Sequence, residues 1–231
     1  MTFPPRRSHV NQSRNRQPAA GNAATLSVAE ARLAAMADMG YPKTALHEYL
    51  QETRDALVWK LDGLSERDAR WPRTPTGNNL LGMLKHCLNV EVGYFGVTFG
   101  REFPTPEELV SLDVYEVDPQ ADWYAKQEET KDGLIDLYRR VWAFADVTIE
   151  RLPLDAPGRV PWWRPDRQDV TLQRIIVHVI CDLARHAGQA DIMREQHDNA
   201  VGVLAANTNI PDDYDWSAYV VKLTDLADRF G

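Results

Sequence analysis

Cysteine is nearly absent: Cys87 and Cys181 are the two in 231 residues. They cannot build a multi-disulfide framework, and such sparse use suits a reducing, cytoplasmic compartment. No run of about 18 apolar residues occurs, so no membrane span is expected. Arginines near the N-terminus are not followed by an apolar segment, so no secretory signal is expected either. The chain has no Gly-rich phosphate loop, and serine is scarce around its amphipathic segments. Basic residues are outnumbered, with 26 Lys and Arg against 34 Asp and Glu and a net charge of −8. Arg6, Arg7, Arg14 and Arg16 fall in an acid-free stretch of twenty residues, which leaves −12 on the rest. An acidic body argues against nucleic-acid binding, which needs clustered Lys and Arg.

What is present is a globular composition, 44% apolar and long enough to bury a core. Residues 1–26, polar and marked by Pro4, Pro5 and Pro18, read as a disordered basic extension. Residues 27–231 read as one helical-bundle domain with a C-terminal tail. Within it, Ser27 and Glu30 form a capping-box pattern opening a short helix to Met39. Four long amphipathic segments follow, at Thr44–Leu64, from Asn78 or Asn79 to Phe99, at Asp122–Leu152 and at Thr171–His197. Each keeps an apolar stripe at helical spacing, for example Leu134, Leu137, Val141, Phe144 and Thr148. No strand pair is evident. This pattern predicts an all-α four-helix bundle. Its connections at 100–121 and 153–170 are longer than the usual few residues, and such loops often carry function.

Chemistry concentrates on the last long helix. At 100° per residue and with Val179 as the inward direction, His186 lies about 20° from the core axis, Asp182 about 60° and His178 about 100°. An inward aspartate on an apolar stripe is costly unless paired or bound to a metal. Asp182 and His186 stand four apart, so one ion can be chelated between them. His86 lies at the margin of the second helix's apolar face. A bundle can bring it to the pair and make a set of two histidines and one carboxylate with open positions. Such ligands suit Zn, Ni, Fe or Mn. The alternative is a buried polar pair, with Asp182 bridged to Arg185 or hydrogen-bonded to His186. Both cysteines read as small buried hydrophobes.

Two segments carry a resemblance. Leu80-Leu-Gly-Met-Leu-Lys-His86-Cys-Leu-Asn-Val-Glu91, followed by Tyr94-Phe95-Gly96, resembles the second-helix motif of the DinB-like (YfiT-like) metalloprotein superfamily. Asp182-Leu-Ala-Arg-His186-Ala-Gly-Gln-Ala-Asp-Ile192 resembles its C-terminal ligand helix. The segments from Trp71 and from Leu154 to Trp163 look like an actinobacterial-type branch. The resemblance covers roughly residues 42–200. It implies an up-down-down-up bundle and a divalent metal held by three histidines, one on the second helix and two on the last. His86 and His186 match the outer ligands. Asp182 stands where the middle histidine is usual, so either the site survives with a carboxylate or it is degenerate, and His178 is a substitute ligand. Relatives include mycothiol- and bacillithiol-dependent transferases and isomerases, which implies a low-molecular-weight thiol cofactor and a small electrophilic substrate.

The loop before the ligand helix offers Trp162, Trp163 and Arg164 as cofactor-binding candidates, with Arg159 beside them. Asn89, about 60° around the second helix from His86, is a further candidate. The same indoles can instead pin the loop onto the bundle end. Three functional classes follow from these readings: a metal-dependent thiol transferase or isomerase, a metal-dependent hydrolase using bound water, or a non-catalytic binding module. The apolar stretch from Tyr214 to Leu226 is a candidate contact surface for a homodimer.

Overall fold

A computed structural model describes residues 41–208, 210–211 and 213–231. The basic extension and the Ser27–Met39 helix therefore lie outside the described residues. Helix α1 spans Tyr41–Trp59, with Pro42 in its first turn, where a missing N–H costs nothing. Helix α2 (Glu66–Arg70) is short and N-capped by Ser65. Helix α3 (Leu80–Phe95) opens on Asn79, whose side-chain oxygen accepts the Gly82 N–H at 2.7 Å. A 3-10 turn, Val97–Phe99, continues it until Gly100 takes a φ of 67°. Helix α4 (Leu112–Val117) lies in the connection, and Thr130 caps α5 (Lys131–Arg151). Strands β1 (Pro157–Arg159) and β2 (Asp169–Thr171) pair antiparallel before Thr171 caps α6 (Leu172–Asp198). Helix α7 (Trp216–Ala227) buries no residue.

The long helices α1, α3, α5 and α6 form the bundle. Their directions follow from contacts between ends. Lys43, at the start of α1, donates to the Leu152 carbonyl at the end of α5. Thr148, late in α5, donates to the Phe95 carbonyl at the end of α3. Arg194, late in α6, donates to the Lys60 carbonyl just past α1. Tyr94, late in α3, meets His178, early in α6. The order is therefore up-down-down-up, as the resemblance implies, and α3 runs antiparallel to α6.

The expected stripes are buried: Leu50 and Leu57 from α1 with Leu61 in the turn after it, Leu80, Met83, Leu84 and Cys87 from α3, the α5 set, and Leu172, Ile176, Val179, Leu183, Ala187 and Ala190 from α6. A buried ionic strut crosses this core. Arg54 donates to Glu91 across 2.6 Å and to Asp146 across 2.8 Å, and the Tyr138 hydroxyl donates to Glu91. Each charge is taken up by partners on facing helices, the condition under which a buried ion pair is tolerated.

Several expectations need correction. The third long helix begins at Lys131, not Asp122. Capping by Thr130 sets that start, and 122–130 is spent on loop contacts. The first ends at Trp59, because Gly63 takes a φ of 71° in the following turn. A strand pair exists after all, too short to show an alternating pattern. Cys181 faces solvent, pointing away from the α6 core stripe.

Candidate metal centre

Antiparallel packing of α3 on α6 sets His86 against Asp182 and His186. One donor atom from each lies within 4.8 Å of the others. That spread is close to the separation of roughly 3–4 Å between ligands on one first-row ion. His186 Nε2 lies 3.7 Å from Asp182 Oδ1, and the His86 and His186 rings meet edge to face at 5.1 Å. His186 is buried, while Asp182 and His86 are partly open.

The remaining ring nitrogens decide what these histidines can do. His86 Nδ1 donates to Asp122 Oδ2 at 2.7 Å. His186 Nδ1 donates to Gln189 Oε1 at 2.9 Å. Each ring thus spends its Nδ1–H on an oxygen acceptor and keeps a free lone pair on Nε2. This is the outer-shell arrangement typical of metal-ligating imidazoles. Burial pushes the His186 pKa down, helped by His86 and Arg185 and opposed by Gln189 and Asp182. The ring therefore stays neutral near pH 7, the form that can ligate. The donor set present here, two imidazoles and a carboxylate with supported tautomers, fits a divalent ion.

Asp122 was missed by the sequence reading, which placed it in a helix. Its carboxylate is nearly inaccessible, and, with burial, its charge pushes the Tyr115 pKa up. Trp123, next along, stacks on His86 with centroids 4.0 Å apart and meets His186 edge-on at 5.2 Å. Gly82 allows this. A Cβ there would lie 1.8 Å from the Trp123 carbonyl oxygen, so only glycine lets the loop settle on α3.

The other candidates fall elsewhere. His178 is no part of the cluster. Trp163 Nε1–H donates to the Tyr94 hydroxyl, which donates in turn to His178 Nε2, both at 3.0 Å. Asn89 spends its amide on backbone, donating to the Lys85 carbonyl and accepting the Val110 N–H. Trp162 packs against Gly93 and Tyr94. Trp163 and Arg164 line a concavity of about 540 Å³ together with His178 and Cys181. Arg159 is held by Asp169 and Gln168. Arg185 is exposed and makes no ion pair with Asp182. Burial pushes the Cys87 thiol pKa up, with Asp182, Glu91 and Asp122 adding to it, so this sulfur is inert.

The sequence profile of the mycothiol S-transferases matches residues 45–199, two thirds of the chain, and spans both α3 and α6. The chain belongs to the mycothiol S-transferase family. That family lies within the DinB-like superfamily, in agreement with the helical fold. No curated protein matches the chain. Among the described residues, no helix is long and apolar enough to cross a membrane.

Proposed function

We propose that this mycothiol S-transferase relative transfers a low-molecular-weight thiol to a small electrophile, or isomerises one through it. His86, Asp182 and His186 would hold the divalent cation, one of Zn, Ni, Fe or Mn. When bound, such an ion lowers the pKa of a ligating thiol, so that a thiolate is available at neutral pH. The observation that carries the reading is the pair of oriented imidazoles, each with its Nδ1–H engaged and its Nε2 lone pair free beside Asp182.

The chain's own residues have separate tasks. Asp122 and Gln189 fix the tautomer and ring direction of the histidines. Trp123 covers one face of His86 and restricts water there. Neither cysteine is needed as nucleophile, since Cys87 is sealed in the core and Cys181 faces the neighbouring concavity. Holding thiol and electrophile side by side turns a bimolecular encounter into an effectively unimolecular step.

Elemental analysis of untagged protein beside Asp182→Ala tests the site. Near-stoichiometric metal in the parent and its loss in the variant are expected. No metal in either, after incubation with all four ions, would overturn the reading. Metal-dependent turnover that ignores added mycothiol would point to hydrolysis by bound water instead.

A further inference from the structure

We propose that the concavity beside the cluster is an oxyanion subsite, built to hold the carboxylate or phosphate of a small ligand. Three arginines line it, Arg164, Arg167 and Arg174, together with Trp163, His178 and Cys181. This concentration of positive charge stands out in a chain of net charge −8. Nearby acids neutralise it only in part, leaving Arg167 and Arg174. Asp169 is paired with Arg159 at 3.1 Å and Asp166 with Arg164 at 3.3 Å. Among the described residues, no carboxylate makes an ion pair with Arg167 or Arg174.

The position of Arg174 is informative. It sits in the first turn of α6, which contains no acidic residue. The helix dipole is already positive there, so a cation at that point weakens the helix. Its guanidinium lies over the Trp163 indole at 5.2 Å, which orients it without discharging it. The loop opposite is prearranged. Gln168 donates to both the Pro161 and Trp163 carbonyls at 3.0 Å, and the β1–β2 pair closes its base. Guanidinium forks beside a helix N-terminus suit the planar or tetrahedral oxygens of an anion.

The subsite is close to the cluster. His178 precedes Asp182 by one helical turn and Arg174 by two, about 6 and 12 Å along the axis. A molecule long enough to cover about 6–12 Å can therefore lodge its anionic end among the arginines and reach its reactive end toward Asp182. As the seat of the electrophilic co-substrate, this assignment rests on the thiol-transfer reading above. As an anion site it stands on the arginines alone.

Cys181 supplies the test, because it lines the concavity and is the exposed thiol, whereas Cys87 is buried. Alkylation rates with anionic iodoacetate and neutral iodoacetamide are compared at low salt. Their ratio cancels changes in thiolate fraction. Relative to an unstructured cysteine peptide, the ratio is expected to rise about tenfold, as in other charge-lined clefts. It should fall back in Arg167→Gln/Arg174→Gln, whose helical circular dichroism is unchanged. At constant ionic strength, succinate or inorganic phosphate should saturably slow iodoacetamide labelling of the parent and not of the double variant. The more protective anion distinguishes a carboxylate from a phosphate ligand. An unenhanced ratio, or no saturable protection by either anion, would overturn the proposal and mark a solvated basic surface. Protection in a protein without thiol-transfer activity would support the subsite and overturn the transferase reading instead.

Discussion

His86 Nδ1 donates a hydrogen bond of 2.7 Å to Asp122 Oδ2, a buried carboxylate 36 residues further along the chain. The bond ties the loop between α4 and α5 to the middle of α3. It also fixes which nitrogen of His86 faces Asp182 and His186. Asp122→Ala is therefore expected to weaken metal affinity by about 10–100-fold while leaving the helical content intact. Competition with a chromogenic chelator measures the affinity, and an unchanged value would remove Asp122 from the site.

Gly82 is a second control on the same loop. Gly82→Ala places a Cβ into the Trp123 carbonyl, which is backbone and cannot rotate away. A loss of about 3 kcal/mol is expected, at the upper end for overpacking. Urea denaturation gives the stability, and a red-shifted tryptophan emission would report displacement of Trp123 from His86.

Glu91 is predicted to be structural. Both its oxygens are engaged by Arg54 and Tyr138 at zero exposure. Glu91→Ala leaves the buried Arg54 charge with Asp146 as its one carboxylate partner and is expected to cost about 3 kcal/mol. The double replacement Arg54→Met/Glu91→Leu should recover most of this in denaturation experiments, because the carboxylate left behind, Asp146, is partly exposed and keeps His47 as partner.

Tyr94→Phe removes the hydroxyl that links Trp163 to His178. Two buried or half-buried polar groups lose a partner, at a cost of about 1–3 kcal/mol. Metal content should not change, since His178 is outside the cluster. Equal loss of metal and stability would show that His178 serves the site.

Acid should weaken the fold in two steps. His186 has its pKa lowered by burial, so the unfolded chain takes up that proton first, and metal-free protein loses stability as pH falls below about 6.5. The Glu108 carboxyl is pulled down to about 2 by its hydrogen bonds from Arg140 and Thr105. Its contribution is complete above the ordinary carboxylate range and fades from about pH 4.5 toward 2. The pair is half-exposed, so solvent screening holds its share below about 1 kcal/mol. Asp146 behaves alike: burial pushes its pKa up, but His47 and Arg54 together hold it down. Urea midpoints between pH 7 and 3 should show the first step shrink in His186→Gln, with burial of His178 keeping part of it, and the second shrink in Glu108→Gln.

The sequence by itself determined the four long helices, their buried faces and three members of the candidate site. Helical periodicity is local, and the angle from Val179 to His186 is set by the α-helix alone. That is why His186 is buried, Asp182 half-buried and His178 at the margin, as the spacing predicts. Tertiary structure decided the rest. Asp122 and Trp123 reach His86 only because a loop folds back over Gly82, a contact between segments some forty residues apart. Gln189 lies three residues after His186, on the ligand helix itself, yet its role depends on which way the imidazole faces. Arg167 and Arg174 share a concavity with Cys181 because the β1–β2 pair turns the tryptophan loop back onto α6. Side-chain period reveals which face of a helix is apolar. It carries no information about which distant loop will cover that face, because the covering is chosen by packing after the helices have met.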